Sequence, residues 1–503
     1  MIVVDGSKEI VRKFKVNIKM HPTMKIMILA LSMVLVLTTC TSDNEKMEWP
    51  DDIQVVLDNT TALNYDRSTR LPLYLWPSTG NWDLSPYAAE EIVKELDKRG
   101  VGLVSSWNSK ERSNQASQCL TVAHAQKKLG QRINIETTDL MNSFFNGDER
   151  TAHIDENGTP FFDDSFGKHK MGCPFAIDFR KKEIRDRFEF FLKKYKDEGL
   201  SVDFIFADWE IDGPLEVNRA LEASKKCARC CKFLGTDFTY EEFQKQLREM
   251  RSYLQNYSYA KPVLSQFPHA LVGNYAVYPN DGYRYWYDYF EYYIEGQPYK
   301  ADQRAKYRKW YNDFPATGYT FAMPVCYTWD PTYMWYNFDN SDYRWFYNML
   351  LVASNAGKNT PQSIPIISFV HWNTVFVTGN VDTAVKQMSK ESYQELLWHM
   401  LLRGTDTFYL WAQKSEFHEE VRLVHEVYAA AQQYGDFLDH GLPITFDVPD
   451  APGTVVSGLI MGDRVLIRRT DFSSNHETVE IMAGTQVVKV EYAPGICKIL
   501  TLK

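Results

Sequence analysis

From about residue 70 the chain alternates short apolar runs with amphipathic segments, and this alternation limits its fold more than any other feature. Eight runs read as strands: 71–76 (LPLYLW), 101–107 (VGLVSSW), 133–139 (INIETTD), 202–210 (VDFIFADWE), 262–269 (PVLSQFPH), 320–327 (TFAMPVCY), 365–372 (PIISFVHW) and 404–412 (GTDTFYLWA). Between several of them lie amphipathic helices. Residues 86–99 start with Ser85 as a cap and Pro86 in the first turn, and Gly100 stops them. Residues 182–198, 239–256, 390–402 and 416–434 carry charged outer faces. Apolar strands separated by helices imply a parallel sheet covered by helices. Eight units within roughly 340 residues predict an α/β fold, a (β/α)8 TIM barrel, over 66–440.

After residue 441 the pattern changes to short alternating segments, 453–460, 464–469, 477–482 and 486–491. These predict a small all-β domain, a β-sandwich over 441–503. Two long inter-strand loops, 140–181 and 273–318, have the length of loops that cover a site. The second is crowded with Tyr and Trp. With 503 residues, 44% of them hydrophobic, the chain has ample material for such a core. Its 14% aromatic content excludes a disordered chain. A net charge of −9 without a basic block argues against nucleic acid as a partner.

Residues 24–40 (MKIMILALSMVLVLTTC) place a Lys before an apolar run too short to span a bilayer comfortably, and the run ends in small residues and Cys40. This resembles the lipobox of bacterial lipoproteins. The resemblance implies a signal region over 1–39, with Met24 or Met20 as the true start, and cleavage before an acylated Cys40. A linker follows, to residue 65. Loss of 1–39 removes six basic and two acidic residues, taking the charge from −9 to −13. Such an acidic body is not drawn to anionic lipid, so the acyl chains would be the membrane anchor. Ser42-Asp43-Asn44-Glu45 is similar to the surface-export signal of Bacteroidota lipoproteins, implying the outer membrane, at the cell surface or its periplasmic face.

Eight cysteines are present, and lipidation of Cys40 leaves an odd seven. Cys227, Cys230 and Cys231 cluster, but a metal needs four ligands and no His is near in sequence. The cluster therefore reads first as a loop disulfide or free thiols, with zinc the remaining alternative. Nothing in the sequence requires a metal or an organic cofactor.

In a barrel of this kind the chemistry stands at the C-terminal ends of the strands. Those ends offer Trp76, Trp107, Glu136 with Asp139, and Asp208-Trp209-Glu210. Further along come Gln266 and His269, Tyr327 with Asp330, His371-Trp372, and Trp411. Strand alternation puts Asp208 and Glu210 on one face and Trp209 on the other, toward the helices. Two neighbouring carboxylates hold one proton more tightly, which suits a general acid. Flat Trp faces and polar groups at the other strand ends suit sugar rings and hydroxyls.

The segment Asp203-Phe204-Ile205-Phe206-Ala207-Asp208-Trp209-Glu210 is similar to the DGxDxDWE strand of family 18 glycoside hydrolases. Its Asp-Trp-Glu core also resembles the catalytic strand of family 56 hyaluronidases. Family 18 has a further inward Asp where this chain has Phe206, a departure that looks more like family 56. Residues 321–330 (FAMPVCYTWD) resemble the sixth strand of these families and 404–411 (GTDTFYLW) the eighth. The resemblance implies a glycosidase acting on N-acetylhexosamine-containing glycans by substrate-assisted, retaining catalysis. Glu210 would be the acid, Asp208 would orient the 2-acetamido group, Tyr327 would hydrogen-bond it, and Trp411 would stack under the sugar. Two other readings stay open. Asp208 could be a covalent nucleophile with Asp330 as the acid. The barrel could also bind surface glycans without cleaving them, using Trp76, Trp107, Trp372 and Trp411.

Overall fold

The structure, a computed structural model, describes residues 48–502 apart from 142–146, 165–169, 177, 211–220, 287–307, 310–311, 377–378 and 475. The signal region and Cys40 lie outside the described residues. Trp49–Lys503 forms one compact unit. Eight parallel strands make its centre: β1 (Leu73–Gly80), β2 (Val101–Ser106), β3 (Asn134–Glu136), β4 (Phe204–Ala207), β5 (Leu271–Asn274), β6 (Val325–Trp329), β7 (Ile367–Val375) and β8 (Thr407–Leu410). The ladder runs β6-β7-β8-β1-β2-β3-β4-β5. The ring is closed outside the ladder, where the amides of Thr320 and Phe321 meet the Val272 carbonyl and Thr320 Oγ1 takes the Val272 amide at 2.7 Å. The molecule is a TIM barrel with additional small sheets at its C-terminus.

Aromatic rings fill the bore. Tyr74 stacks on Phe204 at 4.2 Å, and Tyr409 sits 4.7 Å from Phe206 and 5.8 Å from Phe369. Each buried ring contributes roughly 1.5–3 kcal/mol by area. The crowding needs glycine opposite, since a Cβ on Gly273 would stand 2.6 Å from the Phe321 ring.

Around the barrel run α1 (Asp51–Asn59), α2 (Pro86–Asp97), α3 (Arg112–Lys128), α4 (Asp178–Asp197), α5 (Ala228–Leu234), α6 (Tyr240–Gln255), α7 (Ser341–Asn359), α8 (Lys390–Leu401) and α9 (Phe417–Ala431). Ser85 caps α2 as read from sequence, its side chain accepting the Ala88 amide. α1 falls in the stretch expected to be a linker; its buried Ile53 and Val56 give it an apolar face to dock. The fifth strand also differs from expectation. It is Leu271–Asn274, whereas Lys261–Gln266 is helical and continues α6 through a π turn at Asn256–Ala260. The wider i→i+5 turn lets the helix pass through Pro262, which reads as a breaker in sequence.

Beyond residue 441 a four-stranded sheet, β9 (Leu442–Pro443), β10 (Thr454–Met461), β11 (Arg464–Asp471) and β14 (Cys497–Thr501), is joined by a hairpin, β12 (Val479–Ala483) with β13 (Gln486–Val490). The β10–β11 turn has Gly462 at φ 61°, the left-handed conformation that tight hairpins need. Side chains alternate on β11: Val465 and Ile467 pack with Ala483 and Val490 of the hairpin, while Leu466 joins the barrel-side core. That side is bound to α8. His399 contacts Ser457 Oγ (Nδ1, 2.7 Å) and Thr470 Oγ1 (Nε2, 3.0 Å), and Arg468 pairs with Glu395.

Candidate functional site

The strand ends meet in an aromatic bowl. Trp286 stands edge-on to Tyr327 with centroids 4.6 Å apart, Tyr327 is 6.0 Å from Trp411, and Trp411 is 4.5 Å from His371. Tyr275, just past β5, shares a 2.9 Å hydroxyl contact with Tyr327. Trp76 stands at the rim, 6.3 Å from Tyr409. Tyr327 is 8% exposed, whereas Trp76 and Trp411 are half-buried.

The acidic segment follows β4 immediately. Strand pairing ends at Ala207, and neighbouring side chains take over the backbone. Thr138 Oγ1 accepts the Asp208 amide (2.7 Å), and Asn274 Oδ1 accepts the Trp209 amide (3.0 Å). Arg251 donates to the Trp209 carbonyl at 2.7 Å from α6. Trp209 is fully buried with the Arg251 guanidinium 5.4 Å from its ring, so it faces the helices. Asp208 and Glu210 are both half-buried. Asp208 lies near enough to Tyr409 for its charge to raise that hydroxyl's pKa, although burial is the larger cause.

Glu136 stands one level deeper, in register with Phe206 on β4. Burial pushes its carboxyl pKa up, against the hydrogen bonds from Thr138 and Ser106 that lower it. Glu136 Oε1 takes the Thr138 amide at 2.6 Å. Asp139 does not face the bowl as a free group: it accepts both the amide and the hydroxyl of Ser109, fixing the loop after β2.

His371 is 1% exposed and held by Glu420 of α9, with Nδ1 3.0 Å from Oε2. Glu420 also accepts the amides of Trp372 and Asn373 and the Asn373 side chain. It is therefore fully engaged in orienting this strand end. The other ring nitrogen of His371 is 4.0 Å from Glu416. Asp330 is half-buried in the first turn of the short helix Asp330–Met334, directly after β6.

Four sequence expectations are corrected. Gln266 and His269 precede β5 and so sit at the opposite end of the barrel, exposed, with Gln266 accepting from Lys196 at 2.8 Å. Trp107 is fully buried and stacks on Phe191 of α4 at 5.1 Å. Trp372 alternates away from His371, and its Nε1 donates to the Met388 carbonyl. All four follow from strand limits and side-chain parity rather than residue type. The residues missed were Tyr275, Trp286, Glu416 and Glu420. The first two belong to the Tyr-rich stretch the sequence had already marked. The glutamates, on the segment after β8, carry no local motif.

The opposite end of the barrel has a cavity of about 430 Å3 whose lining includes Arg67, Asp97, Gln131, Asn134 and Asp203. Arg67 and Asp97 form a 2.9 Å bridge there, Asp203 accepts the Ile133 amide at 2.8 Å, and the cavity lies at the stability face of such barrels.

No protein-family profile matches the chain, and no curated protein is similar in sequence. Among solved structures it is similar to α-L-fucosidase isoenzyme 2 from Paenibacillus thiaminolyticus at 10% identity, covering 72% of this chain and 50% of that one, with a TM-score of 0.39. The chain thus spans about half the length of that enzyme. A β-galactosidase from the haloarchaeon Halorubrum lacusprofundi is similar at 11% identity, covering 76% and 60%, with a TM-score of 0.44. Bee venom hyaluronidase is similar at 11% identity, covering 58% and 85%, with a TM-score of 0.29.

Proposed function

We propose that the chain is a glycoside hydrolase acting on N-acetylhexosamine-containing glycans. The observation that carries the reading is the position of Asp208 and Glu210 at the mouth of a barrel whose other strand ends form an aromatic bowl. A pyranose ring stacks on Trp411, where Tyr327 can meet its polar groups; His371, expected as a sugar contact, is buried and held by Glu420. Glu210 protonates the glycosidic oxygen, and Asp208 orients the acetamido group whose carbonyl attacks the anomeric carbon. Phe206 leaves no inward carboxylate beneath Asp208 on β4. Glu136, in register on β3, is the buried acid at that level. Lipid anchoring at Cys40 belongs to the same proposal; acyl labelling that is lost in Cys40→Ala checks it.

The test is a panel of glycans with and without N-acetylhexosamine, followed by reducing ends and mass. The expected result is cleavage only of acetamido-bearing chains, lowered by about a hundred- to ten-thousand-fold in Glu210→Gln. Undiminished activity in that variant overturns the assignment. Cleavage of chains lacking the group transfers the roles to Asp208 as nucleophile and Asp330 as acid. Binding without cleavage makes the protein a surface glycan receptor.

A further inference from the structure

Of the first two readings of the cysteine cluster, the structure has the free thiols and not the loop disulfide. Cys173, Cys227 and Cys230 are buried free thiols, and they meet a histidine distant in sequence, His153. Ligand atoms of all four lie within 4.8 Å of one another. Cys173 Sγ is 3.4 Å from Cys230 Sγ and 3.8 Å from Cys227 Sγ. A zinc ion with Zn–S bonds of about 2.3 Å in a tetrahedron separates its sulfurs by about 3.8 Å. His153 is fully buried, and neither nitrogen of its ring has a hydrogen-bond partner of good geometry. A buried imidazole without partners is costly unless a ligand takes the lone pair.

The surroundings hold the four in place without occupying them. His153 sits in a hairpin of two-residue strands, paired with Phe161, whose ring stacks on it at 5.1 Å. Gly172 brings Cys173 against Thr151, and the Cys173 amide donates to the Thr151 carbonyl at 2.6 Å. A Cβ on Gly172 would stand 2.4 Å from Thr151 atoms, so this approach requires glycine. Cys227 and Cys230 bracket the start of α5 with C-x-x-C spacing, and Arg229 between them donates to the Ala152 carbonyl at 3.2 Å.

We propose that His153, Cys173, Cys227 and Cys230 bind one structural zinc ion, which fastens the loop after β3 to the segment after β4. Three cysteines and a histidine make a closed, four-ligand site with no open position for substrate. The bound thiols give up their protons to solvent, and no electron changes hands. Cys231 points elsewhere, 3.3 Å from the Lys225 carbonyl, and is not a ligand.

The test is elemental analysis of the full chain purified under reducing conditions, with cobalt substitution of the stripped protein. About one zinc per chain is expected, with the intense thiolate-to-cobalt charge-transfer absorption of a tetrahedral site. Cys231→Ser should keep the metal, His153→Cys should keep it with a sulfur-only spectrum, and Cys227→Ser should lose it. If Cys227→Ser does not fold, the wild-type cobalt spectrum decides. Less than about a tenth of an equivalent of metal with no cobalt spectrum overturns the proposal. So does a Cys173–Cys230 disulfide in peptide maps, or full metal content in a folded Cys227→Ser.

Discussion

Phe206 stands where the resembled family 18 strand has an inward carboxylate, and its surroundings show why the exchange is not a simple reversal. Its ring is fully buried, 4.7 Å from Tyr409 and 5.9 Å from Phe369. An aspartate there would put a polar carboxyl group into an aromatic layer, with a cavity around it. We expect Phe206→Asp to destabilise the barrel by at least about 3 kcal/mol and not to increase activity, read from urea unfolding and glycan turnover. The position of single residues was legible where chemistry and parity coincide, as at Asp208, Tyr327 and Trp411, which stand at or just past strand ends. Single residues were illegible where the partner is remote in sequence. His153 is 20 residues from Cys173 and 74 from Cys227, so only folding reveals their meeting. Glu420 is 49 residues from the His371 it orients.

Seven of the eight strands were read close to their places, because a buried parallel strand writes a continuous apolar run. The fifth failed for a local reason. PVLSQFPH has the apolar content of a strand, but the π turn absorbs Pro262 and carries the helix to Gln266. The true strand, LVGN, is only four residues long. The π turn also positions Tyr259. Its hydroxyl lies within reach of the Ile205 carbonyl at 2.8 Å and the Gly273 carbonyl at 3.1 Å, donating to one at a time. The helix is thereby attached to both β4 and β5. Tyr259→Phe should cost about 1–2 kcal/mol in urea unfolding while leaving the far-ultraviolet spectrum unchanged. No loss of stability would mean that the hydroxyl does not hold the two strands.

At the scale of the whole molecule, the C-terminal sheet and the barrel share a buried polar seam. His399 of α8 is at its centre, with Arg403 also contacting Ser457. Burial lowers the His399 pKa well below 6.5, and the charges of Arg403 and Arg468 lower it further. The folded state thus binds fewer protons than the unfolded state between the two pKa values. The stabilisation is complete above pH 6.5 and declines as pH falls from there toward the depressed folded-state value. We expect unfolding free energy to fall by up to about 1.4 kcal/mol per pH unit in that window from this residue, with a shallower slope in His399→Gln. Equal slopes in urea titrations of the two proteins would assign the acid sensitivity to other groups.

The barrel is a ring laced everywhere except between β5 and the chain entering β6, where two amides share the Val272 carbonyl. Tyr275 and Tyr327 face each other across that joint, hydroxyl to hydroxyl. A hoop with one clasp changes diameter at the clasp. At that joint the bowl is held by bonds to one carbonyl rather than by a strand ladder, while the neighbouring end of β7 is strapped by Glu420.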